Sequence, residues 1–427
     1  MSPAEVPVAD RPAAVAAAVD QRRLGELVSR LATFGALPGG GLDRQALTEP
    51  DLAARRFLTD LARSYGAEAA RDPAGNLFFR WAGTTDADPV VTGSHVDSQP
   101  SGGTLDGAYG VCAAIEVLAA LSATGIHARR PIEAVIWTNE EGSRFSPGTA
   151  GSTAFVRPAV LDEFRAARDA DGVTFAEALA ALDARLPDVP SRELARPIHA
   201  FVEAHIEQGP LMEDRGVPVG VVRSVQGTRW FEFRVAGLGG HAGTTPLSRK
   251  RDALMAAVQV ADGVYRILRA SDDTMRLTIG RLIVHPGSIN VVPAEVVFTV
   301  DLRHPDLAVL DDIERRLRAL AVPTAGCEVG VERIMIMPPT AFDPGVVGAV
   351  QAAVDALGVP HMGIDSGAFH DALRLVEHCP TGMVFVPSIG GHSHSPLERT
   401  DLADMTTGAR VLAHAVLALA DQEGDAR

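Results

Sequence analysis

The stretch that decides the fold covers residues 93–110 and reads GSHVDSQPSGGTLDGAYG. It follows an apolar run at 89–92 that predicts a buried strand, and it precedes a helical pattern at 111–121. Open α/β sheets bind their ligands at the carboxyl ends of strands, which is where this stretch places His95. The glycines of the loop permit the tight turn that would bring Asp106 back to His95. The stretch therefore predicts a strand, a loop and a helix that carry metal-ligating groups.

Three side chains of this stretch have the chemistry of a metal site. His95 can ligate a metal through one ring nitrogen, and Asp97 can hold the other ring nitrogen by a hydrogen bond. Asp106 opens the next helix, and its carboxylate could serve one metal or bridge two. One His-x-Asp sequence is weak support by itself, so the prediction depends on the rest of the chain.

The composition is that of a globular protein with two domains. At 427 residues the chain is too long for one ordinary core. The net charge of −15 disfavours nucleic acid and anionic membranes as partners, and no apolar run approaches the roughly 18 residues of a membrane span. The cysteines Cys112, Cys327 and Cys379 form no CxxC pair, which indicates a reducing compartment or inert core thiols. We therefore expect a cytoplasmic protein.

Strands that alternate with helices predict an α/β domain with a mixed, mostly parallel sheet flanked by helices. The pattern changes near residue 217 and returns after about residue 335. We expect residues 1–217 and 335–427 to form the two parts of one catalytic domain. The segment 218–334 would then be an inserted domain with a function of its own.

The insert has the order of strands and helices of a two-layer α+β module, of the ferredoxin-like kind. Alternating runs at 219–225 and 230–235 predict a hairpin across Gln226-Gly227. An exposed strand edge and a long helix at 252–269 favour a homodimer contact on this domain, because two-fold pairing covers such an edge.

A pair of adjacent carboxylates, Glu140 and Glu141, follows the apolar run 133–137. Past a strand end, one carboxylate can ligate a metal while its neighbour takes the proton of a metal-bound water. A solvated acidic turn is the plainer interpretation of a Glu-Glu pair that stands alone.

Two further segments, HIEQGP at 205–210 and GGHSHSPLE at 390–398, place histidines near predicted strand ends. The chain thus offers three histidines and two carboxylates, enough for two divalent ions that share Asp106, with a bridging water as nucleophile. Oxygen and imidazole ligands without thiolate suit Zn, Mn, Co or Ni.

With these motifs the sequence resembles the amidohydrolase branch of the dinuclear metallo-aminopeptidase and aminoacylase superfamily. That branch contains N-carbamoyl-L-amino-acid hydrolases, β-ureidopropionases and allantoate amidohydrolases. The resemblance runs from about Leu24 to Leu419, and it includes TNEEGSRF, GHAGTTP, PGSIN-x-V and D-x-R besides the motifs above. It implies a catalytic domain and a smaller lid and dimerisation domain in a homodimer.

The resemblance also implies roles for particular residues. The metal ligands would be His95, Asp106 as the bridge, Glu141, His205 and His394. Glu140 would be the general acid and base, with Asp97 and His241 as further catalytic residues. The substrate-binding residues would be Gln208, His241, Asn290, Arg303 and Gly367. We expect two divalent ions per chain, with zinc as the first expectation.

The implied function is a hydrolase of carbon–nitrogen bonds other than peptide bonds, in linear amides or amidines. It would use a metal-bound hydroxide to cleave a small N-carbamoyl or ureido acid, such as an N-carbamoyl-L-amino acid or allantoate. A dipeptidase or aminoacylase with the same metal centre is the alternative. A non-enzymatic binding module conflicts with the complete ligand set, and a dehydrogenase conflicts with the lack of a G-x-G-x-x-G after an early strand.

Two departures from the family pattern leave the substrate open. Phe369 stands where glycine is usual, and His392 stands where methionine is common. Both flank the expected substrate site, so the exact substrate, the native metal and the stereochemical preference stay open. We assign no catalytic role to His370 or Asp371.

Overall fold

The computed structural model describes residues 6–272 and 274–423. Residues 1–5 and 424–427 of the predicted catalytic domain therefore lie outside the described residues. The chain forms two compact units: residues 1–223 with 342–427, and residues 224–341. The second unit thus begins and ends a few residues later than the insert expected at 218–334.

The elements are numbered in chain order. The strands are β1 Glu68–Arg71, β2 Leu77–Trp81, β3 Val90–His95, β4 Ile132–Trp137, β5 Ala200–Ile206, β6 Val219–Val225, β7 Gly227–Ala236, β8 Gly240–His241, β9 Arg276–His285, β10 Val291–Val292, β11 Glu295–His304, β12 Glu328–Met337, β13 Thr340–Ala341, β14 His361–Ser366 and β15 Thr381–Val386. The α-helices are α1 Arg11–Ala17, α2 Gln21–Leu31, α3 Glu49–Ser64, α4 Ala108–Thr124, α5 Ala150–Val156, α6 Leu161–Ala166, α7 Phe175–Arg185, α8 Leu211–Arg215, α9 Ala253–Arg269, α10 Leu307–Arg318, α11 Pro344–Ala356, α12 Asp371–Leu375 and α13 Leu402–Ala420.

The first unit is built on a nine-stranded sheet with the order β1-β2-β4-β3-β5-β15-β6-β13, to which β14 is added through β6. Its four central strands, β4, β3, β5 and β15, run parallel, while the outer pairs β1/β2, β2/β4, β15/β6 and β6/β13 are antiparallel. The predicted mixed, mostly parallel sheet with flanking helices is confirmed.

The central strands of this sheet have the burial pattern of a parallel sheet. Every residue of β3, β4, β5 and β15 is buried, which is the pattern of strands covered by helices on both faces. The helix α4 is buried from Ala108 to Leu121 and contacts β3, β4 and β5, and α13 contacts α4 and β15. This packing fixes the carboxyl ends of the central strands.

The predicted hairpin of 219–225 with 230–235 is wrong. The strand β6 pairs with β15 and β13 in the large sheet, whereas β7 pairs with β11 and β12. A Gln-Gly step between two alternating runs is a turn signal, but here the chain passes at this point from one sheet into another. The strand β13 pairs with the last two residues of β6, so the chain enters and leaves the second unit side by side.

The second unit is a four-stranded antiparallel sheet with the order β12-β7-β11-β9. The helices α9 and α10 both contact β7 and β11, and the chain order β7-α9-β9-β11-α10-β12 is the ferredoxin-like arrangement. Apolar residues of the sheet, with Phe233 stacked on Phe298 at 4.9 Å between ring centroids, form its own core with the buried faces of the helices.

Each helix of this unit begins at a side-chain cap. Asp252 accepts hydrogen bonds from the backbone N–H groups of Leu254 and Met255, and Asp306 accepts one from Ala308. An aspartate in this position satisfies backbone donors that a helix cannot pair internally. In the part of the chain that the structure describes, no helix is both long enough and apolar enough to span a membrane.

Candidate active site

The central parallel strands bring four segments to one edge of the sheet. The strand β3 ends at His95, β4 leads into Glu140 and Glu141, and β5 carries His205 next to its last residue. The segment after β15 carries His394. Because the carboxyl ends of parallel strands meet at one edge, residues far apart in sequence become neighbours there.

Asp106 reaches this edge through a turn that only glycine permits at the next position. Gly107 has a φ of +63°, and a Cβ added to it would lie 2.3 Å from the His95 Nε2 atom. The backbone nitrogen of Gly107 also lies 3.1 Å from His205 Nε2. Asp106 is therefore held against both histidines at the start of α4.

The five residues expected to bind metal form two groups that share Asp106. In the first group the ligating atoms of His95, Asp106 and His205 lie within 4.8 Å of one another. In the second group those of Asp106, Glu141 and His394 do so as well. The structure thus brings together all five residues, and one carboxylate belongs to both groups.

The two oxygens of Asp106 face different groups. Its Oδ1 lies 3.1 Å from His205 Nε2 and 3.9 Å from His95 Nε2. Its Oδ2 lies 3.1 Å from His394 Nε2, which is in turn 3.4 Å from the Glu141 Oε2 atom. Carboxylate and imidazole donors in this number fit divalent ions such as Zn. A carboxylate with one oxygen toward each group is suited to bridge two ions.

Glu140 lies beside the first group, with its Oε2 atom 3.5 Å from His95 Nε2. The turn that presents it begins at Asn139, which has a φ of +57° and whose Nδ2 donates to the carbonyl of Phe145 at 2.7 Å. The Asp97 carboxylate accepts hydrogen bonds from the backbone N–H groups of Glu140 at 3.3 Å and Glu141 at 3.1 Å.

The contact between Asp97 and His95 differs from the expected one. The His95 Nδ1 atom lies 3.0 Å from the carbonyl oxygen of Asp97 and 3.8 Å from its carboxylate. The carbonyl therefore orients the ring, because the carboxylate is engaged by the backbone of the 140–141 turn. Asp97 thus links the end of β3 to the glutamate pair.

Burial raises the pKa values of both glutamates. The pKa of Glu140 is well above its usual value because of desolvation and of the nearby charge of Asp371. Desolvation, with the charge of Asp106, raises the pKa of Glu141 to about 8. Negative charge is crowded at this edge, so positive charge from a bound cation would be favourable there.

The Asp106 carboxylate behaves differently from the two glutamates. Desolvation opposes its ionisation, yet the hydrogen bonds with His205 and His394 hold its pKa well below the usual range. The pKa of His205 is raised to about 9 because the contact with Asp106 outweighs desolvation. The hydrogen bond with Asp106 also raises the pKa of His394 to about 9. Asp106 is therefore an anion held between the two groups of potential ligands.

Gln208 lies next to the same carboxylate. It has a φ of +61°, and its Nε2 donates to Asp106 Oδ2 at 2.9 Å and to Ser393 Oγ at 3.0 Å. Its Oε1 atom is buried and has no hydrogen-bond partner among residues 6–272 and 274–423. Gln208 is thus placed at the Asp106 carboxylate, with an acceptor left for a ligand.

Gly367 follows β14, and a Cβ added there would meet nothing within 4 Å among the described residues.

The second unit carries the other residues expected to bind substrate. His241 pairs with Val291 between β8 and β10, and the carbonyl of Asn290 accepts from the Ala242 N–H at 3.0 Å. Both His241 and Asn290 line a cavity of about 650 Å³, together with His285 and Ala294. These residues lie near Glu295, the first residue of β11.

Arg303 lies at the other end of β11. Its Nε and Nη2 atoms donate to both carboxylate oxygens of Asp301, at 2.8 to 3.2 Å. Because a strand rises about 3.3 Å per residue, the eight steps along the strand from Glu295 to Arg303 span roughly 26 Å. Within one chain, Arg303 and the cavity of His241 and Asn290 are therefore at opposite ends of the sheet.

The structure also shows site neighbours to which the sequence analysis assigned no role. Ser393 Oγ lies 3.2 Å from Asp106 Oδ2, and Glu398 contacts the backbone beside Asp106. The ring of His370 packs edge-on against that of His205 at 4.4 Å between centroids, and its Nε2 contacts Ser366 Oγ at 2.9 Å. Ser393 and Glu398 lie in the GGHSHSPLE motif, in which only His394 was predicted to be functional.

A mixed sheet with histidines and carboxylates gathered at the carboxyl ends of its parallel strands is an arrangement suited to a metal-dependent hydrolase. The particular family follows from comparison with known proteins. Peptidase family M20/M25/M40 matches residues 91–418, and the chain belongs to this family.

Several similar proteins are named as amidohydrolases or amidases. The chain is 38% identical over 416 residues to the N-carbamoyl-L-amino acid amidohydrolase of Geobacillus stearothermophilus, covering 95% of this chain and 100% of that protein. It is 33% identical to the allantoate amidohydrolase of Escherichia coli, covering 94% and 99%. A crystal structure of a hydantoinase/carbamoylase family amidase from Burkholderia multivorans superposes with a TM-score of 0.88 at 44% identity, covering 95% and 98%. The resemblance to the amidohydrolase branch is thereby confirmed.

Proposed function

We propose that the protein is a metal-dependent amidohydrolase that cleaves the carbamoyl C–N bond of a small N-carbamoyl or ureido acid. The observation that carries the proposal is Asp106, whose two oxygens serve two separate groups of potential ligands. Glu140 stands beside the first group without belonging to either. The relatives named as N-carbamoyl-L-amino acid and allantoate amidohydrolases support the substrate class.

The metal ligands in this proposal are His95, Asp106, Glu141, His205 and His394. Divalent ions held there, with zinc as the first candidate, would activate a water and polarise the carbonyl of the substrate. The protein contributes the charge and the geometry: the Asp106 carboxylate is buried, and Asp97 fixes the backbone of both glutamates.

Glu140 is the general acid and base in this proposal. Its carboxylate takes a proton from the attacking water and delivers it to the departing nitrogen. Desolvation holds its pKa well above the usual value, and a raised pKa suits a group that must both accept and release a proton near neutral pH. The products of an N-carbamoyl amino acid are then the amino acid, ammonia and carbon dioxide.

The substrate-binding residues in this proposal are Gln208, His241, Asn290, Arg303 and Gly367. Arg303 would bind the carboxylate of the substrate, because a guanidinium pairs with a carboxylate through two parallel hydrogen bonds. His241 would donate to the oxyanion of the tetrahedral intermediate. The buried, unpartnered Oε1 of Gln208 offers an acceptor for an N–H group of the substrate.

The geometry of the second unit supports a homodimer. Roughly 26 Å of strand separates Arg303 from the start of β11, whereas an N-carbamoyl amino acid is much shorter. One substrate can therefore contact both Arg303 and His241 only if the two residues come from different copies of the chain. We propose that the active protein is a dimer in which each substrate is met by both copies.

Complementation between two inactive variants tests the dimer. Arg303→Ala and His241→Ala should each be nearly inactive alone. After mixing and subunit exchange, half of the dimers are mixed and each regains one intact site, so about a quarter of the parent activity should return. No recovery in a sample shown to contain mixed dimers, or a monomer with full activity, would contradict the proposal.

A substrate panel tests the function. N-carbamoyl-L-amino acids, their D-enantiomers, allantoate, N-acetyl amino acids and dipeptides are compared with Zn, Mn, Co or Ni supplied, and both ammonia and free amino acid are measured. The proposal predicts ammonia from a carbamoyl or ureido substrate. Amino acid without ammonia, from dipeptides or N-acyl amino acids alone, would favour the peptidase or aminoacylase alternative instead.

A further inference from the structure

Glu398 is buried against the backbone that carries Asp106. Its residue is 7% exposed, and its Oε1 atom accepts hydrogen bonds from the N–H groups of Leu105 at 2.7 Å and Asp106 at 3.0 Å. These two groups lie in the turn before α4 and point away from the helical ladder. One carboxylate oxygen therefore fixes the backbone on both sides of the peptide that leads into Asp106.

The chain leaves room for this carboxylate by a glycine. A Cβ added to Gly103 would lie 2.0 Å from Glu398 Oε1 and 2.4 Å from Oε2. The φ of Gly103 is outside the left-handed region, so backbone conformation does not demand glycine there. The absence of a side chain at Gly103 thus leaves the space that the Glu398 carboxylate occupies, although the two residues are 295 positions apart in the sequence.

The other oxygen of Glu398 connects to the Asp106 side chain through Ser393. The Ser393 Oγ atom lies 3.4 Å from Glu398 Oε2 and 3.2 Å from Asp106 Oδ2. A hydroxyl has one hydrogen to donate, so it serves one of these carboxylates at a time, while it accepts from Gln208 at 3.0 Å. Glu398 therefore contacts both the backbone and the side-chain surroundings of Asp106.

We propose that Glu398 is a positioning residue for the metal site, which holds the Asp106 carboxylate in the orientation that bridges the two ligand groups. The inference rests on the proposed function, since it assumes that Asp106 binds divalent ions. Gly103 takes part by leaving the space that Glu398 occupies.

Metal affinity of the full-length protein is the direct test. Glu398→Ala removes the acceptor for both N–H groups and should weaken binding of Zn, measured by chelator competition on the metal-free protein, by about 10- to 100-fold, the range for residues that orient metal ligands. Glu398→Gln keeps an oxygen that can accept both N–H groups, so it should restore most of that affinity. Circular dichroism and thermal unfolding confirm that each variant is folded.

A double-mutant cycle separates positioning from a general effect on folding. Gly103→Ala should weaken metal binding in the parent. In the Glu398→Ala background it should lower the metal affinity little further, because the clashing carboxylate is then absent. Gly39→Ala is the control, since nothing lies within 4 Å of the added Cβ and the φ of Gly39 is ordinary. The Co-loaded variants should also show a changed absorption spectrum where Asp106 has shifted.

Three outcomes would overturn the inference. Glu398→Ala with the metal affinity and Co spectrum of the parent would show that Glu398 does not position Asp106. Equal losses from Gly103→Ala in both backgrounds would break the link between the two residues. A parent protein that binds no divalent ion would overturn the inference together with the proposed function, whereas the first two results leave that function intact.

Discussion

Replacing the buried Arg55 with methionine should destabilise the first unit strongly. Arg55 lies on α3 with no exposed surface. Its Nε donates to Asp51 at 2.8 Å, and its Nη atoms donate to the carbonyls of Gly75 and Trp137 and to Thr138 Oγ1, at 3.0 to 3.2 Å. It thus ties the helix to the end of β4, immediately before the glutamate pair.

The expected loss of stability follows from the groups that stay buried when Arg55 is replaced. Asp51 also has no exposed surface, and without Arg55 it keeps only the N–H of Leu47 at 2.8 Å as a partner in its immediate turn. Removing one member of a buried ion pair costs about 3–5 kcal/mol, because the other charge stays buried and uncompensated. That is a large share of the roughly 5–15 kcal/mol by which domains are usually stable.

Urea unfolding followed by tryptophan fluorescence measures the loss, since Trp81 and Trp137 are both buried in the first unit. Arg56→Ala is the matched control on the same helix. Arg56 pairs with Asp60 and Asp188 at the surface, where such pairs are worth about 0–1 kcal/mol. A loss below about 1 kcal/mol for Arg55→Met would refute the reasoning from buried charge.

The loss should shrink at lower pH. Desolvation already raises the pKa of Asp51 in the folded protein, and Arg55 opposes that rise. Without Arg55 the folded pKa rises further above the unfolded value. A group with a raised folded pKa contributes stability that is present below its unfolded pKa and lost as pH rises through the folded pKa. The gap in free energy of unfolding between the variant and the parent should therefore narrow as the pH falls from neutral toward the unfolded pKa of about 3.9; a gap that widens would contradict this.

Two further predictions concern the site. Asp106→Ala should abolish high-affinity metal binding, because both ligand groups lose a member; retention of the parent's full metal content by elemental analysis would show that Asp106 is not shared. Arg303→Lys should lower kcat/KM for a carboxylate-bearing substrate by about 5- to 150-fold, the equivalent of about 1–3 kcal/mol for a charge-assisted hydrogen bond. An equal loss on a substrate analogue that lacks the carboxylate would show that Arg303 supports the domain rather than binds the ligand.

The sequence predicted the parts of the fold that depend on local pattern. The buried run at 89–92 and the helical spacing after it correspond to β3 and α4, and the alternation of strands and helices indicated the parallel sheet. Strand pairing was less accessible: β6 has the alternating pattern of a hairpin partner, yet it joins β15. Pattern reports which face of a strand is buried, but it does not report which neighbour a strand finds.

For the candidate site, too, the sequence predicted what depends on local pattern but not what depends on pairing between distant segments. The residues expected to bind metal were found because their motifs follow strand ends, and parallel strands end together. The role of Glu398 could not be found in this way, because its partners are backbone N–H groups that no side-chain motif reveals. The separation of Arg303 from His241 likewise required the register of β11, since both residues simply fall within the insert in the sequence.

Turnover and metal content of Glu140→Gln, measured on the same samples, test the central claim most directly. With an N-carbamoyl amino acid or allantoate that the parent hydrolyses, the variant should keep the parent's metal content while kcat falls about 10²- to 10⁴-fold, the usual contribution of a general acid and base. Glu141→Gln, one residue on, should instead lower the metal content. A Glu140→Gln protein with full metal content and kcat close to that of the parent would contradict the account.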